Sequence, residues 1–310
     1  RKTGMTHFLV TGASGLLGLN FALAVDGKEH QVTGVDFRNP LKWINFKMLQ
    51  ANLTKAGTVE RIVSEVKPDV ILHCAANANV DDCESHPEEA ETVNSVLPGE
   101  IAEIAGKHKI RMIHVSTDAV FDGATGNYTE SDLPNPLSVY AFTKLRGENA
   151  VLAANPQALV MRVNFYGWSI SGKRSLAEWF ANEMAASKPV KGFTDIVFSP
   201  MMVLDLVDCM VEASANGLHG LYHCVGAETM SKYDFGLAIA RQFGFDPALI
   251  TPTSYLDGGL AAARSPNLTL STEKIKAALG HPLPTFENGL KKFYNQYRHG
   301  FPEMIKTLVA

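Results

Sequence analysis

In the run SVYAFTKLRGE, from Ser138 to Glu148, Tyr140 and Lys144 stand four residues apart, so on a helix their side chains share one face. A phenol and an ammonium in that relation can deliver a proton. Hydride addition to a ketone leaves an alkoxide that needs one. Tyr140 would be the acid, but an ordinary phenol pKa near ~10 is high for transfer at neutral pH; Lys144 beside it would stabilise the phenolate and bring that value down. The pair alone says little, because Tyr and Lys at this spacing also cover plain helix surfaces. Its weight comes from Thr117, twenty-three residues upstream, whose hydroxyl can donate to the same carbonyl oxygen.

Chemistry of this kind needs elements that hold the three groups together. Short apolar runs at 7–12, 31–36, 69–76, 110–117 and 158–163 read as buried strands, with helical patterns at 15–25, 54–66, 88–107 and 138–154 between them. Strand and helix in alternation imply right-handed crossovers and a parallel sheet covered on both faces, an α/β doubly wound fold. After Val163 the alternation weakens, and a helix near 204–215 with a strand at 220–226 returns to the sheet. The expected organisation is a dinucleotide-binding Rossmann domain at 5–163 plus about 201–226. A smaller, discontinuous, mostly helical substrate-binding lobe would take up 164–200 and 227–310.

The first strand runs directly into VTGASGLLGLN, with Gly12, Gly15 and Gly18 at the opening of a helix. Gly12 permits the tight turn, Gly15 lets backbone approach a pyrophosphate, and Gly18 lets helix and strand pack closely. The helix N-terminus supplies free N–H groups and positive potential for phosphate oxygens. The second strand ends at Asp36, placed for an adenosine ribose, which favours NAD; Arg38, two residues on, favours the 2′-phosphate of NADP. The two signals conflict, with NADH slightly favoured and dual use open. Small Ala75 and Ala76 after the fourth strand admit a flat cofactor. Ser116, Thr117 and Asp118 emerge at the carboxyl end of the fifth, where open α/β sheets bind ligands.

The rest of the composition is restrictive. With 46% hydrophobic residues in 310 there is ample core, and a net charge of −4 without a Lys/Arg tract argues against nucleic acid or membrane as partner. Arg1–Gly4 read as residues added ahead of a native Met5, and no secretory leader pattern follows, so a cytoplasmic location is expected. Cys74, Cys83, Cys209 and Cys224 are scattered and read as free thiols, and nothing indicates a metal. His73 and His114, in or beside strands, read as satisfied core residues; Met201 and Met202 read as core filling, and Asp81, Asp82 and Glu84 as capping or solvated.

The stretches TGASGLLG, AANANVDDCE with Asn94, VSTDAVFDG, NPLSVYAFTKLRGE and the late ARSPNLTLSTEKI together resemble the extended short-chain dehydrogenases/reductases, and most of all the dTDP-4-dehydrorhamnose reductase family. The resemblance covers nearly the whole chain. It implies reduction, by NADH or NADPH, of the C4 ketone of a nucleotide-linked 6-deoxy sugar, with Thr117, Tyr140 and Lys144 catalytic. It implies cofactor contacts at Gly12, Ser14, Gly15, Leu16, Leu17, Gly18, Asp36, Arg38, Asn52, Leu53, Ala75, Ala76, Asn94 and Ser116, as well as at Tyr140 and Lys144. Substrate contacts would fall on Val80, Asp118, Asn164, Phe165 and Arg264, with Lys173, Arg174 and Ser199 as further candidates. A monomer or homodimer is expected.

Two departures bear on the sugar. Ala119 stands where the family usually has Tyr after the Thr-Asp pair, and Phe165 where it often has Trp, with Trp168 three residues further as a conceivable substitute. Two other readings stay open: an NAD-dependent epimerase on the same fold, and a regulatory subunit resembling the methionine adenosyltransferase β subunit. Dehydration is disfavoured, since Asp118 is followed by Ala119 where dehydratases carry a second acid.

Overall fold

Seven parallel strands form the central sheet, in the order β3–β2–β1–β4–β5–β6–β11. The computed structural model describes residues 5–309 apart from Lys28 and 258–264, so Arg264 lies outside the described residues. The strands are β1 (Thr6–Thr11), β2 (His30–Asp36), β3 (Lys47–Gln50), β4 (Val70–His73), β5 (Arg111–Thr117), β6 (Leu159–Val163) and β11 (Gly220–Cys224). Helices α1 (Leu16–Val25), α2 (Thr58–Val66), α3 (Val80–Ser85), α4 (Pro87–Glu91), α5 (Leu97–His108) and α6 (Val139–Ala154) connect them up to β6, and α8 (Val203–Ala215) precedes β11. Chain order reverses between β1 and β4, which opens the crevice typical of this architecture at their carboxyl ends.

Successive strand residues feed opposite layers. Phe8 and Val10 pack with α1 and α8, while Leu9, Val35, Ile71 and Val160 pack with α2, α5 and α6. The apolar helix α1 has almost no solvent face, because it is held between the sheet and α8. Strand β3 has no counterpart in the sequence reading. Its residues KMLQ are exposed or half-buried at the sheet edge, so they form no apolar run. The helix expected at 88–107 is two α segments joined by a π-helical turn at Thr92–Val96, a feature that often marks functional sites.

Beyond β6 the chain forms β7 (Phe165–Tyr166), α7 (Leu176–Ala185), β8 (Val190–Phe193), β9 (Val197–Phe198) and β10 (Met201–Met202) before α8. After β11 come β12 (Met230–Ser231), α9 (Lys232–Phe243), β13 (Ile250–Thr253), α10 (Glu273–Leu279), α11 (Phe286–Arg298) and α12 (Phe301–Lys306). The helices are accompanied by three two-stranded sheets, β7–β10, β9–β12 and β8–β13. Trp168, Phe180, Phe235 and Phe293 are fully buried here and touch edge to face or stacked. Met201 and Met202 are core residues, as expected. None of the described helices is long and apolar enough to cross a membrane.

Candidate active site

The glycine turn takes the shape its spacing implies. Gly12 has φ +65°, and a Cβ there would lie 2.8 Å from the backbone of Ala75, so β1 and β4 release their chains side by side. A Cβ on Gly18 would collide with the Gly12 carbonyl, which ties α1 down onto the turn. Gly15 is exposed at the N-cap of α1, leaving the helix N-terminus open to an anion. Leu16 and Leu17 are buried and can offer only backbone there. Asp36 accepts from the Ser14 hydroxyl at 2.5 Å, and its other oxygen accepts from the N–H groups of Arg38 and Asn39. Arg38 is mostly exposed and reaches Glu89 at 3.1 Å, an exposed pair that is easily exchanged. Asn52 is half-buried, with Oδ1 accepting from the Thr54 hydroxyl, and Leu53 is buried. These groups suit a dinucleotide: an open helix N-terminus for the pyrophosphate and a fixed carboxylate at the ribose end.

Ala75 and Ala76 lead into a loop that Asn94 holds from below. Asn94 is fully buried, accepts from the Asn77 N–H at 2.9 Å and donates to the Asn77 carbonyl at 3.0 Å and to the Thr143 hydroxyl. Its side chain is therefore spent on the loop rather than offered to a ligand. The π turn lets its backbone sit against α6, where a Cβ on Gly147 would strike the Asn94 carbonyl. Val80 opens α3 and is partly exposed.

Thr117, Tyr140 and Lys144 meet where β5 abuts α6. Ser138 caps that helix, accepting from the Ala141 N–H, and so sets Tyr140 in its first turn. The Thr117 side chain lies beside the Tyr140 hydroxyl and favours its ionised form. Burial nevertheless pushes the phenol up to about 12, and the nearby Asp118 carboxyl adds to this. Lys144 Nζ donates to the Val115 carbonyl at 2.7 Å, and burial brings its ammonium down to about 8 against the favourable field of Glu148. The expectation that Lys144 draws the Tyr140 pKa down is therefore not met by the polypeptide: desolvation dominates, and the ammonium is turned to the strand. Tyr140 stays a protonated phenol at neutral pH, as an acid requires.

Asp118 is buried, with Oδ2 2.6 Å from Asn164 Nδ2 and Oδ1 accepting from the Thr117 hydroxyl. Burial raises its carboxyl to about 6, opposed by those bonds and by the charge of Lys232. Lys232, first residue of α9, was not anticipated from the sequence. Phe165 is half-buried beside Asn164. Trp168 does not substitute for the absent family Trp: it is 1% exposed, stacks on Phe293 at 4.1 Å and gives its indole N–H to the Phe293 carbonyl. Ser199 is buried with its hydroxyl unpartnered, and Lys173 and Arg174 are exposed.

Ser116 points the other way from Thr117. It is buried and donates to Glu148 at 2.5 Å, so its side chain is not offered to a cofactor. His73 and His114 are buried, as expected, and stack at 5.5 Å. Only His73 Nδ1 has a partner, the Thr11 hydroxyl at 2.7 Å; both nitrogens of His114 lack one, so that histidine is not the satisfied core residue anticipated. Burial lowers both, His73 to about 3. All four cysteines are free.

The family described as the RmlD substrate binding domain matches residues 5–299. A relative from Haloferax volcanii named as a probable low-salt glycan biosynthesis reductase, Agl14, is 34% identical over 288 residues, which is 92% of this chain and 96% of its own. Methionine adenosyltransferase 2 subunit beta of Bos taurus is 30% identical over 293 residues, 92% of this chain and 86% of its own. Among solved structures, dTDP-4-dehydrorhamnose reductase from Bacillus anthracis in complex with NADP superposes with a TM-score of 0.83 at 22% identity, covering 94% of this chain and 99% of that one. The chain belongs to the RmlD substrate binding domain family and has the extended short-chain dehydrogenase/reductase fold.

Proposed function

We propose that the protein is an NAD(P)H-dependent oxidoreductase that reduces the C4 ketone of a nucleotide-linked 6-deoxy sugar. The observation that carries this reading is the meeting of Thr117, buried at the carboxyl end of β5, with Tyr140 in the first turn of α6 and with Lys144, one turn further along the same face and bonded to the Val115 carbonyl of that strand. A reduced nicotinamide supplies the hydride and is oxidised as the ketone becomes an alcohol. Tyr140 gives its phenol proton to the developing alkoxide oxygen, and the Thr117 hydroxyl donates to that oxygen while charge builds on it. Lys144, anchored on the Val115 carbonyl, holds the nicotinamide ribose. The backbone of Ser14–Leu17 receives the pyrophosphate, and Asp36 the adenosine ribose. Asp118 and Asn164 form one polar wall of the sugar site.

The relatives named as reductases support the reaction type, and the bound NADP of the structural neighbour supports the cofactor class. Ala119, half-exposed Phe165 and sequestered Trp168 give the sugar wall less aromatic surface and no indole donor, which favours a ketosugar other than dTDP-4-dehydrorhamnose itself. The test is oxidation of NADH or NADPH by the purified protein with a panel of dTDP- and UDP-linked 4-ketohexoses. Turnover of one of them is expected; none with any would overturn the reading.

A second reading is carried by the β-subunit relatives at 30% identity: a regulatory partner of another enzyme. Stoichiometric capture of one enzyme, together with no turnover of any sugar nucleotide, would favour it.

A further inference from the structure

Beneath the reaction site a row of polar side chains crosses the sheet inside an otherwise apolar layer. Thr11, His73 and His114 are register partners on β1, β4 and β5, and Ser116, Arg162 and His223 are register partners on β5, β6 and β11. The second trio is organised by Glu148. Arg162 Nε and Nη2 donate to its two oxygens at 2.9 and 2.7 Å, and the Ser116 hydroxyl donates at 2.5 Å. Both charged side chains are 3% exposed. The planar guanidinium also lies over the Phe121 ring at 5.0 Å and faces His223 Nε2. A buried ion pair is seldom a net gain over apolar packing, so its presence here calls for a reason other than stability.

The spacing on α6 supplies one. Tyr140, Lys144 and Glu148 follow each other at four-residue intervals on one face of the helix. The same face meets β5 three times: Tyr140 at Thr117, Lys144 at the Val115 carbonyl, and Glu148 at Ser116. We propose that Glu148, clamped by Arg162 and Ser116, is a positioning residue that fixes the place and the charge of Lys144. This rests on the cofactor role given to Lys144 above.

The groups facing Lys144 make the charge argument specific. From β4 comes His73, held neutral by burial, and just after it Cys74, whose thiol burial pushes up to about 12; from β5 comes His114, also held neutral. On α6 itself Tyr140 is a neutral phenol. The carboxyls of Glu84 and Glu91 are engaged at the rim of the helix, with the Val139 N–H and with Arg146. Asp118 and Cys83 face Tyr140, and Arg162 is already matched by Glu148. Glu148 is thus the carboxylate that favours the charged form of Lys144. Removing it leaves Lys144 with desolvation and an unmatched guanidinium, both of which act against its ammonium.

The test is NADH and NADPH affinity between pH 6 and pH 10, measured by fluorescence on wild type, Glu148→Gln and a Lys144→Ala control. Wild type should lose affinity as pH rises through the ionisation of Lys144, and the control should show no such loss. In Glu148→Gln the midpoint of that loss should move to lower pH by about one unit or more. Should Glu148→Gln not fold, the double variant Glu148→Gln/Arg162→Met, which removes both charges together, is expected to move the midpoint in the same direction. An unchanged midpoint in either folded variant overturns the role of Glu148. Failure of wild type to bind either cofactor overturns the reductase reading instead, and this inference with it.

Discussion

Asn164 Nδ2 stands 2.6 Å from Asp118 Oδ2, joining the residue after β6 to the residue after β5 across the mouth of the site. The bond favours the ionised carboxyl, which burial disfavours, with a net rise to about 6. Asn164→Ala should therefore raise the Asp118 pKa further. Carboxyl carbon NMR titration reads this without any substrate, and a value at or below that of wild type would contradict it. The linkage to stability follows. A raised carboxyl costs nothing below the unfolded value of ~3.9, and its penalty sets in as pH climbs from there through about 6. Asp118→Asn should flatten that part of the stability curve.

Tyr140 is expected to carry the proton and little of the binding. Tyr140→Phe should lower turnover ~10²-fold or more while NAD(P)H affinity stays within about twofold of wild type. Its neighbour Thr117 stays tied to Asp118, so local order is kept. Wild-type turnover in this variant would remove Tyr140 from the mechanism.

Lys144 should be a residue the fold retains at a cost. Its folded pKa of about 8 lies below the unfolded ~10.4, so between these values the unfolded chain binds more protons and stability rises with pH. Below about pH 8 the full desolvation penalty is present. Lys144→Met should abolish turnover yet melt above wild type at pH 7, with the gap closing towards pH 10. The lost bond to the Val115 carbonyl offsets part of the gain. Calorimetry at the two pH values decides it; a variant less stable than wild type at pH 7 would count against the desolvation account.

The strand–helix alternation and the glycine turn were legible because each leaves a periodic or positional mark. What escaped the sequence is where side chains spend their bonds. Asn94 matched a cofactor contact by resemblance, yet its amide is closed on Asn77 and Thr143, and nothing in the residue type says so. Trp168, a conceivable substitute for the family Trp, is stacked on Phe293 in the buried core. The Glu148–Arg162 pair did leave a signal. An Arg inside the apolar run ALVMRV needs a buried partner, and Glu148 lies one turn beyond Lys144 on the same helical face. Edge strand β3 left none, since KMLQ alternates weakly and faces solvent.

Cofactor choice turns on Asp36 and Arg38, which compete within one turn of chain. Asp36 is fixed by Ser14 and two backbone N–H groups, and its fixed negative charge opposes a 2′-phosphate. Arg38 reaches exposed Glu89, a contact worth well under ~1 kcal/mol and readily given up. Asp36→Ala should thus shift preference towards NADPH by about tenfold, roughly the effect of ~1.4 kcal/mol. Glu89→Ala, which frees Arg38 without touching Asp36, should shift it the same way by a smaller factor. Affinities for the two reduced cofactors at fixed ionic strength measure both, since the phosphate contribution falls with salt. An unchanged preference in Asp36→Ala would mean that the ribose is read elsewhere.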